Sequence, residues 1–541
     1  MNGLPQMVSS DGIRKVSQVV FSGYDHNVGS GNGSLWDMEN MTGDYAPLLG
    51  TRKPRKTFTT LNDPHAIYAH DGLFWVDGTG FYADGIRKGT VTAGEKEICS
   101  LQMYILIFPD KKYYRTDTGE FGSMEATWSG SVTIGDGTYN GQPAKGNTIK
   151  TTGAAFPFAV GDGVTITGST AANNKCAVVE EISEDGRELR FLEYCFEEGS
   201  WSGSVTLKRE VPDLDFLCEN ENRVWGCKGD TIYASALGRP FSWMNLGTLA
   251  TDAWAAAVGS AGDFTGCCSY LGYPIFFKED AIYKVYGDKP SNFQTMASAR
   301  LGVEKGSHKS LAVAGERLFY LSRAGVVSYA GGTPSNIAHA FGDVRYKNAV
   351  AGSDGRKYYV SMEGPDGYSL FVFDTETGLW HREDDTRALG FAWNENLYML
   401  SSDGMIFLTG LLRDATGQEE AAFESFAEFG DFTEKSGYRG SQNEANRKGL
   451  SRLQVRVELE AGAELTIMVK FDSEDWEDVT RNQKTAGEWQ RVKTLTAEKK
   501  RSFVLPIIPK RCDHWRIRLE GVGQWKLYSL SREYYTGSDL Q

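Results

Sequence analysis

Leu311–Tyr329 reads LAVAGERLFYLSRAGVVSY, and this stretch holds the pattern that decides the fold. An apolar run is followed by a polar turn, then by an aromatic strand, a second turn and a strand that ends in tyrosine. Alternation with period two between turn residues is typical of antiparallel β-sheet. The stretch therefore predicts three consecutive strands of one sheet.

The same pattern occurs in seven units along the chain. The last four units begin roughly forty residues apart, which is the length that one four-stranded blade of a β-propeller needs. One blade cannot bury both of its faces, so neighbouring blades must cover it. The sequence therefore predicts an all-β protein built on a β-propeller of six to eight blades. The seven units are His65–Tyr82, Ile98–Arg115, Phe216–Ala234, Cys267–Tyr286, Leu311–Tyr329, Ala349–Trp380 and Leu389–Leu408.

A segment at residues 125–213 separates the second unit from the third. Nearly the same heptapeptide occurs at both of its ends, WSGSVTI at Trp128–Ile134 and WSGSVTL at Trp201–Leu207. Between them the chain alternates like a small β-barrel or sandwich, with Gly-Asp-Gly and Asp-Gly turns. We interpret the segment as a loop grown into a β-module, compatible with recognition of a partner, and we expect its first and last strands to lie close together.

The forty-residue rhythm stops after Leu412, and Arg413–Gln418 has the composition of a linker. Five alternating strands follow and predict a β-sandwich. We therefore expect an N-terminal arm with first propeller contacts at 1–60, the propeller at 61–124 and 214–412, the inserted module at 125–213 and a C-terminal β-sandwich at 413–541. The arm is expected to run over the propeller surface or to dock as an edge strand.

Charge and composition exclude several classes of protein. The formal net charge of −14 disfavours a protein that grips nucleic acid through its phosphates. Neither a signal peptide nor a run of about 18 apolar residues is visible, so we expect synthesis in the cytosol and no membrane contact. The sequons at Asn32 and Asn40 then carry no meaning. The eight cysteines form no C-x-x-C pair and are expected to be reduced core thiols rather than metal ligands.

Enzymatic motifs are weak throughout. The Asp-box of sialidases needs Ser-x-Asp-x-Gly, but Ser401–Gly404 and Ser183–Gly186 place glycine directly after aspartate. A glycoside hydrolase needs two carboxylates at a defined separation, and nothing in the sequence selects one pair among 71 acidic residues. The run Leu370–Asp384 resembles the outer hairpin of a kelch blade only in geometry, with Asp374 beginning a turn and Trp380 closing the sheet. We therefore predict no catalytic residue.

Cofactor and metal sites are not predicted either. The glycine-rich Gly29–Ser34 has no P-loop lysine and is interpreted as a flexible arm. The seven histidines lack an H-E-x-x-H pattern, and a turn or core-edge position is favoured for His308, His381 and His514. The acidic run that contains Asp472, Asp475 and Asp478 lacks EF-hand spacing and is interpreted as a solvated turn.

Arg52–Lys56 (RKPRK) is the compact basic cluster of the sequence. Pro54 inside it argues against a helix. The cluster is interpreted mainly as solvated surface, with contact to DNA or to an acidic neighbour as the alternative. Our functional hypothesis places its basic side chains against neighbouring proteins.

Several passages resemble a group of bacteriophage tail propeller proteins. The opening FSGYDHN, GSLWDMENM and YAPLLGTRKPRK look like the start of these proteins, and the inserted segment looks like modules common in phage tails. The resemblance touches most of the chain through its general pattern rather than through a strict motif. The other passages are Ile232–Trp243 with Gly262–Cys267, Ile275–Gly287, Leu318–Ile337, Phe471–Val479 and Ile507–Ser538.

The family implied is that of hub or nozzle proteins of short-tailed phages, although a propeller at the tip of a long-tailed phage shares the same pattern. The resemblance implies a non-enzymatic virion protein that forms a homo-oligomeric ring, a hexamer in that family, below the portal and its adaptor. It implies further contacts with tail fibres or spikes, a place in the tail of the virion after assembly in the host cytoplasm, and passage of ejected DNA without specific binding.

Two alternatives stay open. One is a carbohydrate-binding or carbohydrate-cleaving propeller at the phage tail tip or a host surface, and the other is a bacterial scaffold unrelated to phage. β-Propellers serve all of these roles, so the chemistry of specific residues must decide among them.

Overall fold

A computed structural model describes residues 12–27, 33–410, 416–434, 447–472, 490–496 and 500–536. Within these ranges the chain is all-β: the only helical elements are three short 3-10 turns, at Pro290–Asn292, His308–Ser310 and Ala338–Phe341. All strand pairs within the sheets are antiparallel. In the described ranges no helix is long and apolar enough to cross a membrane.

Five strands precede the first predicted unit, and two four-stranded sheets follow. Sheet 1 has the order β6-β7-β8-β9 and sheet 2 the order β10-β11-β12-β13. The strands are β1 (Ile13–Gln18), β2 (Leu35–Glu39), β3 (Met41–Thr42), β4 (Leu49–Thr51), β5 (Lys56–Thr60), β6 (Pro64–Ala69), β7 (Leu73–Asp77), β8 (Gly80–Ala83), β9 (Ile86–Thr90), β10 (Glu97–Leu101), β11 (Tyr104–Phe108), β12 (Lys112–Arg115) and β13 (Phe121–Ser123).

The inserted segment, expected to be a small β-barrel or sandwich, forms one seven-stranded sheet with the order β17-β16-β20-β14-β15-β19-β18, which does not close into a barrel. Its first and last strands pair along their length, with Trp128 opposite Leu207 and Val132 opposite Trp201. The expectation that the two ends lie close together is therefore confirmed. The strands are β14 (Ala126–Tyr139), β15 (Gln142–Lys150), β16 (Gly163–Thr167), β17 (Cys176–Val178), β18 (Glu181–Ile182), β19 (Glu188–Arg190) and β20 (Gly199–Arg209).

Four further four-stranded sheets, sheets 3 to 6, follow in chain order, each with its strands in sequence order. Their strands are β21 (Phe216–Asn220), β22 (Arg223–Lys228), β23 (Thr231–Ala234), β24 (Trp254–Ala257), β25 (Gly266–Tyr270), β26 (Tyr273–Lys278), β27 (Ala281–Tyr286), β28 (Gln294–Ala299), β29 (Ala312–Ala314), β30 (Arg317–Ser322), β31 (Gly325–Tyr329), β32 (Ser335–Asn336), β33 (Lys347–Ser353), β34 (Lys357–Gly364), β35 (Gly367–Asp374) and β36 (Leu379–Arg382).

Sheet 7 combines strands from both ends of the chain, in the order β37-β38-β39-β5-β40. The N-terminal strand β5 pairs with β39, so that Thr57 lies opposite Phe407. Each of the seven units recognised in the sequence thus lies within one sheet. The strands are β37 (Ala388–Asn394), β38 (Asn396–Ser401), β39 (Met405–Thr409) and β40 (Gln418–Glu419). The first half of the expected linker Arg413–Gln418 lies outside the described residues, and its last residue begins β40.

Two-residue turns join the first and second strands of sheets 3, 4 and 5. In each turn both residues have positive φ: Glu221 and Asn222, Leu271 and Gly272, Gly315 and Glu316. This is the backbone of a type I′ turn, whose twist matches that of the flanking strands. The tight turns set the register of each sheet, which explains why the sequence units repeat so regularly.

Two more sheets contain the remaining strands of both termini. One has the order β3-β4-β47-β42-β45 with β1 paired to β47, and the other has the order β2-β41-β46-β43-β44. Residues 1–60 are expected to run over the propeller surface as an arm or to dock as an edge strand, whereas β1 to β4 belong to these two sheets. The last strands are β41 (Glu424–Phe429), β42 (Lys448–Leu459), β43 (Glu464–Phe471), β44 (Gln490–Thr496), β45 (Arg501–Pro506), β46 (Trp515–Val522) and β47 (Trp525–Thr536).

One apolar core runs from this two-sheet unit into sheets 5 and 6. Leu453 and Trp515 of the two-sheet unit, Phe21 and Leu35 of the N-terminal segment and Tyr358 of sheet 6 belong to the same buried cluster. The inserted sheet has a separate core of its own. Because burial of apolar surface is the main stabilising contribution, the terminal unit and sheets 5 and 6 stabilise one another.

Candidate functional site

The first strands of the seven sheets lie next to one another. β10 contacts β21, β21 contacts β25, β29 contacts β33, β33 contacts β37, and β37 contacts β6. The Tyr68 hydroxyl donates a hydrogen bond to Ser100 Oγ (2.9 Å) and joins sheets 1 and 2, while the Tyr270 hydroxyl donates to the carbonyl of Glu316 (2.8 Å) and joins sheets 4 and 5. Every sheet therefore contacts the next, and the seventh contacts the first.

A cavity of about 200 Å³ lies among these first strands, lined by residues of sheets 1, 2, 6 and 7 and by Lys309 and Leu311 ahead of sheet 5. Glu97, at the start of sheet 2, contacts His308 with 2.7 Å between Oε1 and Nε2, and the His308 ring lies 4.8 Å from the ring of Phe216 in sheet 3. His308 belongs to the 3-10 turn ahead of sheet 5. His308 thus connects the first strands of sheets 2 and 3 with the segment ahead of sheet 5.

A second ion pair lies beside this contact. Lys309 Nζ is 2.6 Å from Glu95 Oε1. Burial alone would raise the pKa of Glu95, but the charge and the hydrogen bond of Lys309 lower it. The Glu95 and Glu97 carboxylates and the His308 ring lie close enough to share a cation, but Lys309 already supplies positive charge there. The arrangement suits a structural cross-link.

The basic cluster Arg52–Lys56 is solvated only in part: Lys53 is exposed, whereas both arginines are not. Arg52 and Arg55 are buried, and Arg55 forms ion pairs with Glu383 (2.7 Å) and Asp384 (2.6 Å). Arg52 pairs with Glu420 at 2.7 Å. Burial alone would lower the pKa of Arg55, but its two acidic partners raise it. The hypothesis that this cluster faces neighbouring proteins is therefore wrong for Arg52 and Arg55, because their acidic partners are in the same chain.

A second buried network joins the N-terminal segment to sheet 6. Lys357 Nζ lies 2.6 Å from Asp44 Oδ1, and Arg356 bridges Asp44 and Asp374 at 3.0 and 2.9 Å. Asp374 also accepts the backbone N–H of Glu376, which confirms the expected turn after this residue. The neighbouring His381 is buried, and burial together with Lys357 lowers its pKa to about 4. The ion pairs of Asp44 therefore attach the N-terminal segment to sheet 6.

Polar contacts help to attach the inserted sheet. Arg209 and Asp162, both in the insertion, pair at 2.7 Å, and Arg209 Nε donates to the carbonyl of Met124 (2.8 Å) next to sheet 2. The backbone N–H of Gly163 donates to Ser242 Oγ at 3.1 Å. These contacts connect one loop of the insertion to sheets 2 and 3.

Burial separates the charges unequally. Among the described residues ten lysines and arginines are buried, against five aspartates and glutamates. Several of these buried cations pair with carboxylates that are not themselves buried, such as Asp44, Asp384 and Glu420. The buried cations are Arg52, Arg55, Lys96, Arg209, Arg223, Lys278, Lys357, Lys448, Lys470 and Arg532, and the buried acids are Asp162, Asp374, Glu383, Glu428 and Glu434.

The other residues considered in the sequence have ordinary structural positions. Ser401 ends β38, and its Oγ accepts the backbone N–H of Met405 (3.2 Å) across a turn. Asp472 accepts the backbone N–H of Asp513 at 3.0 Å, whereas Asp475 and Asp478 lie outside the described residues. Gly29–Asn32 of the glycine-rich arm also lie outside them. His514 directly precedes β46, at the edge expected for it.

No protein-family model and no curated protein matches the chain. Among solved structures, phage phi92 endosialidase is 11% identical and is matched over 68% of this chain and 70% of its own, with a TM-score of 0.22. The acylaminoacyl peptidase of Pyrococcus horikoshii is 11% identical over 77% of this chain and 59% of its own (TM-score 0.22). PorZ of the Porphyromonas gingivalis type-IX secretion system is 12% identical over 74% and 57% (TM-score 0.17). At these TM-scores the likeness carries no argument about function.

Proposed function

We propose that this chain is a non-enzymatic structural protein of a bacteriophage tail, which assembles as a ring below the portal and its adaptor and surrounds the DNA during ejection. In this proposal the seven sheets are the blades of one β-propeller, with the inserted sheet and the terminal two-sheet unit attached to it. The tail assignment itself comes from the resemblance of the quoted passages to tail propeller proteins.

The propeller is supported by how the seventh sheet is completed. Its strand β5 comes from residues 56–60, whereas β37 to β39 come from residues 388–409. In a ring of sheets, every sheet has both faces covered only if the last sheet packs against the first. The contact of β37 with β6 meets this condition. Completing that sheet with an N-terminal strand couples the two ends of the chain, as a rigid scaffold requires.

The observation that carries the function is the distribution of charge. Each phosphate neutralised by a lysine or arginine adds salt-dependent affinity for DNA. The formal net charge of this chain is −14, and ten lysines and arginines of the described residues are buried where a phosphate cannot reach them. A DNA conduit needs this property, because firm binding would hold back the DNA it has to pass.

The conduit in this proposal lies between copies of the chain. In this arrangement Glu97 and His308 meet among the first strands of the seven sheets, beside a cavity of about 200 Å³. A DNA duplex, whose major groove alone is about 12 Å wide, does not fit through such a cavity. The hole for DNA must therefore be the lumen of an oligomeric ring, which makes assembly the decisive test.

The experiment combines sedimentation with a DNA titration. We expect the purified chain, alone or with its portal-adaptor neighbours, to sediment as a closed ring that negative-stain images show directly. A labelled duplex at roughly 50 mM salt, where phosphate contacts are strongest, should bind no better than weakly. A basic duplex-binding protein of similar size is the positive control. Submicromolar DNA binding, or a chain that stays monomeric beside its neighbours, would contradict the proposal.

A further inference from the structure

Three side chains with metal-ligating atoms meet where strands β43 and β46 adjoin. β43 ends at Phe471 and β46 begins at Trp515, and these two residues are the last pair in the register between the strands. Asp472 therefore follows one strand, while Asp513 and His514 directly precede the other. The carboxylate oxygens and the ring nitrogen that these three residues offer all lie within 4.8 Å of one another. We call Asp472, Asp513 and His514 the strand-end cluster.

Backbone hydrogen bonds position the strand-end cluster. The N–H of Asp472 donates to the carbonyl of His514 at 3.1 Å, and the N–H of Asp513 donates to Asp472 Oδ1 at 3.0 Å. These bonds continue the pairing of β43 with β46, and both are inner strands of their sheet. Groups that are already placed by paired strands lose little conformational entropy when they bind an ion.

The charged groups of the strand-end cluster face one another. The side chains of Asp472 and Asp513 lie within hydrogen-bonding distance of each other, and His514 Nδ1 is 2.5 Å from Asp513 Oδ1. Two ionised carboxylates at such a separation repel each other unless a proton or a cation lies between them. Within the described ranges neither carboxylate forms an ion pair with a lysine or an arginine.

Basic side chains do occur near the strand-end cluster, but they do not pair with its carboxylates. Lys510 Nζ lies 5.6 Å from the centre of the Phe471 ring, and Lys448 Nζ lies 6.0 Å from that of Trp515. Arg511 is exposed and, among the residues that the structure describes, forms an ion pair with neither aspartate of the cluster. The cluster therefore has room for a cation from solution.

The cluster of Glu95, Glu97 and His308 differs in this respect. Its ligand atoms also lie within 4.8 Å of one another, but Lys309 Nζ is 2.6 Å from Glu95 Oε1. A lysine of the chain thus already supplies the positive charge there. This second cluster offers a matched control, because it has the same kinds of ligand and its own cation.

Solvent reaches the strand-end cluster through Asp513, whose side chain is 53% exposed. The ring nitrogen Nδ1 of His514 faces this carboxylate, whereas Nε2 is shielded from solvent. Imidazole nitrogen together with carboxylate oxygen is a donor set that Zn²⁺ and other first-row transition ions accept, whereas Ca²⁺ and Mg²⁺ prefer oxygen alone. The donor set therefore favours a transition ion over the hard cations.

We propose that the strand-end cluster binds a divalent first-row transition-metal ion, represented by Zn²⁺, through a carboxylate oxygen of Asp472, a carboxylate oxygen of Asp513 and Nδ1 of His514. Water completes the coordination, as is usual where the protein supplies three ligands. The bound ion ties the end of β43 to the start of β46. The proposal goes beyond the structural function and does not depend on whether the chain forms a ring.

The test is calorimetric titration of the full, reduced chain with ZnCl₂ near neutral pH, and separately with CaCl₂ and MgCl₂. We expect Zn²⁺ to bind at least about tenfold more tightly than either hard cation, because of the three only Zn²⁺ favours the imidazole ligand. Asp513→Asn and His514→Gln should each weaken Zn²⁺ binding by more than about tenfold, since loss of a group that merely orients a ligand already costs about 10–100-fold. Glu97→Gln, in the cluster that contains Lys309, should leave Zn²⁺ binding unchanged.

Thermal unfolding supplies a second measurement. Because Asp513 is exposed, Asp513→Asn should keep the wild-type unfolding midpoint without metal, and it tests the proposal even if His514→Gln does not fold. Added Zn²⁺ should raise the midpoint of the wild type more than that of Asp513→Asn, because a ligand of the folded state stabilises that state. The proposal is overturned if Zn²⁺ does not bind, if Asp513→Asn binds Zn²⁺ as tightly as the wild type, or if Glu97→Gln weakens binding as much as Asp513→Asn does. Equal affinity for Ca²⁺ and Zn²⁺ would also overturn it, since the cluster would then attract cations by charge alone.

Discussion

The inserted sheet at residues 126–209 and the two-sheet unit at the chain ends are attached to the seven sheets in opposite ways. The insertion is continuous in sequence, its first and last strands pair with each other, and it has a core of its own. The two-sheet unit takes strands from residues 13–51 and from residues 424–536, and it shares a core with sheets 5 and 6. The insertion is therefore built from one continuous segment, whereas the two-sheet unit needs both ends of the chain.

The difference shows that continuity in sequence sets how separable a unit is. The insertion meets the rest of the chain through a few polar groups around Arg209 and Ser242. The terminal unit meets it through apolar burial and through the buried pairs of Arg52, Arg55 and Lys357. Perturbing the terminal attachment should therefore destabilise the whole protein, whereas perturbing the insertion should not.

The largest effect is expected from Arg55→Met. This change leaves the buried carboxylates of Glu383 and Asp384 without their close partner, and removal of one member of a buried ion pair costs about 3–5 kcal/mol. Chemical denaturation should show the loss as a lower midpoint of the main unfolding transition. Lys53→Met, which removes an exposed cation of the same cluster, is the control. Equal midpoints for the two variants would contradict the structural role assigned to Arg55.

A smaller, pH-dependent effect is expected at His381. The pKa of this buried side chain is lowered to about 4, so the folded protein binds fewer protons than the unfolded chain between that value and the ordinary pKa of about 6.5. Its contribution to stability is complete above about pH 6.5 and is lost as the pH falls towards 4, by up to about 3 kcal/mol.

His381→Gln should remove this part of the pH dependence, because glutamine does not titrate. The free energy of unfolding measured at several pH values between 4 and 7 checks it, and His339→Gln, which changes an exposed histidine, is the control. If the wild-type and His381→Gln curves run parallel over this range, the assigned shift is wrong.

The smallest effect on the remaining fold is expected from removing the insertion. Residues 129–200 are replaced by a short Gly/Ser linker, together with Arg209→Met because the deletion removes its partner Asp162. Since loop length changes closure entropy by only about 0.6 kcal/mol per doubling, the rest should still unfold cooperatively. Calorimetry compares this variant with full-length Arg209→Met. Loss of the cooperative transition in the deletion alone would show that the insertion belongs to the common core.

The sequence predicted much of the local structure and little of the candidate sites. The seven strand units, the paired ends of the insertion and the turn at Asp374 follow from alternation and turn residues, which act between neighbours in the chain. The pairs of Arg55 with Glu383 and Asp384 were not expected, because the partners lie far apart in the chain. Nothing in the spacing of these residues indicates that folding brings them together.

By itself, the sequence determined an all-β protein of repeated antiparallel units, because strand alternation and tight turns depend on residues a few positions apart. The tertiary structure alone decided that β5 completes the seventh sheet, that β1 and β2 join strands from the far end of the chain, and that Arg52 and Arg55 are buried. Such pairings depend on which strand edges remain free and which carboxylates need a partner once the sheets have packed. Local patterns carry no information about either condition.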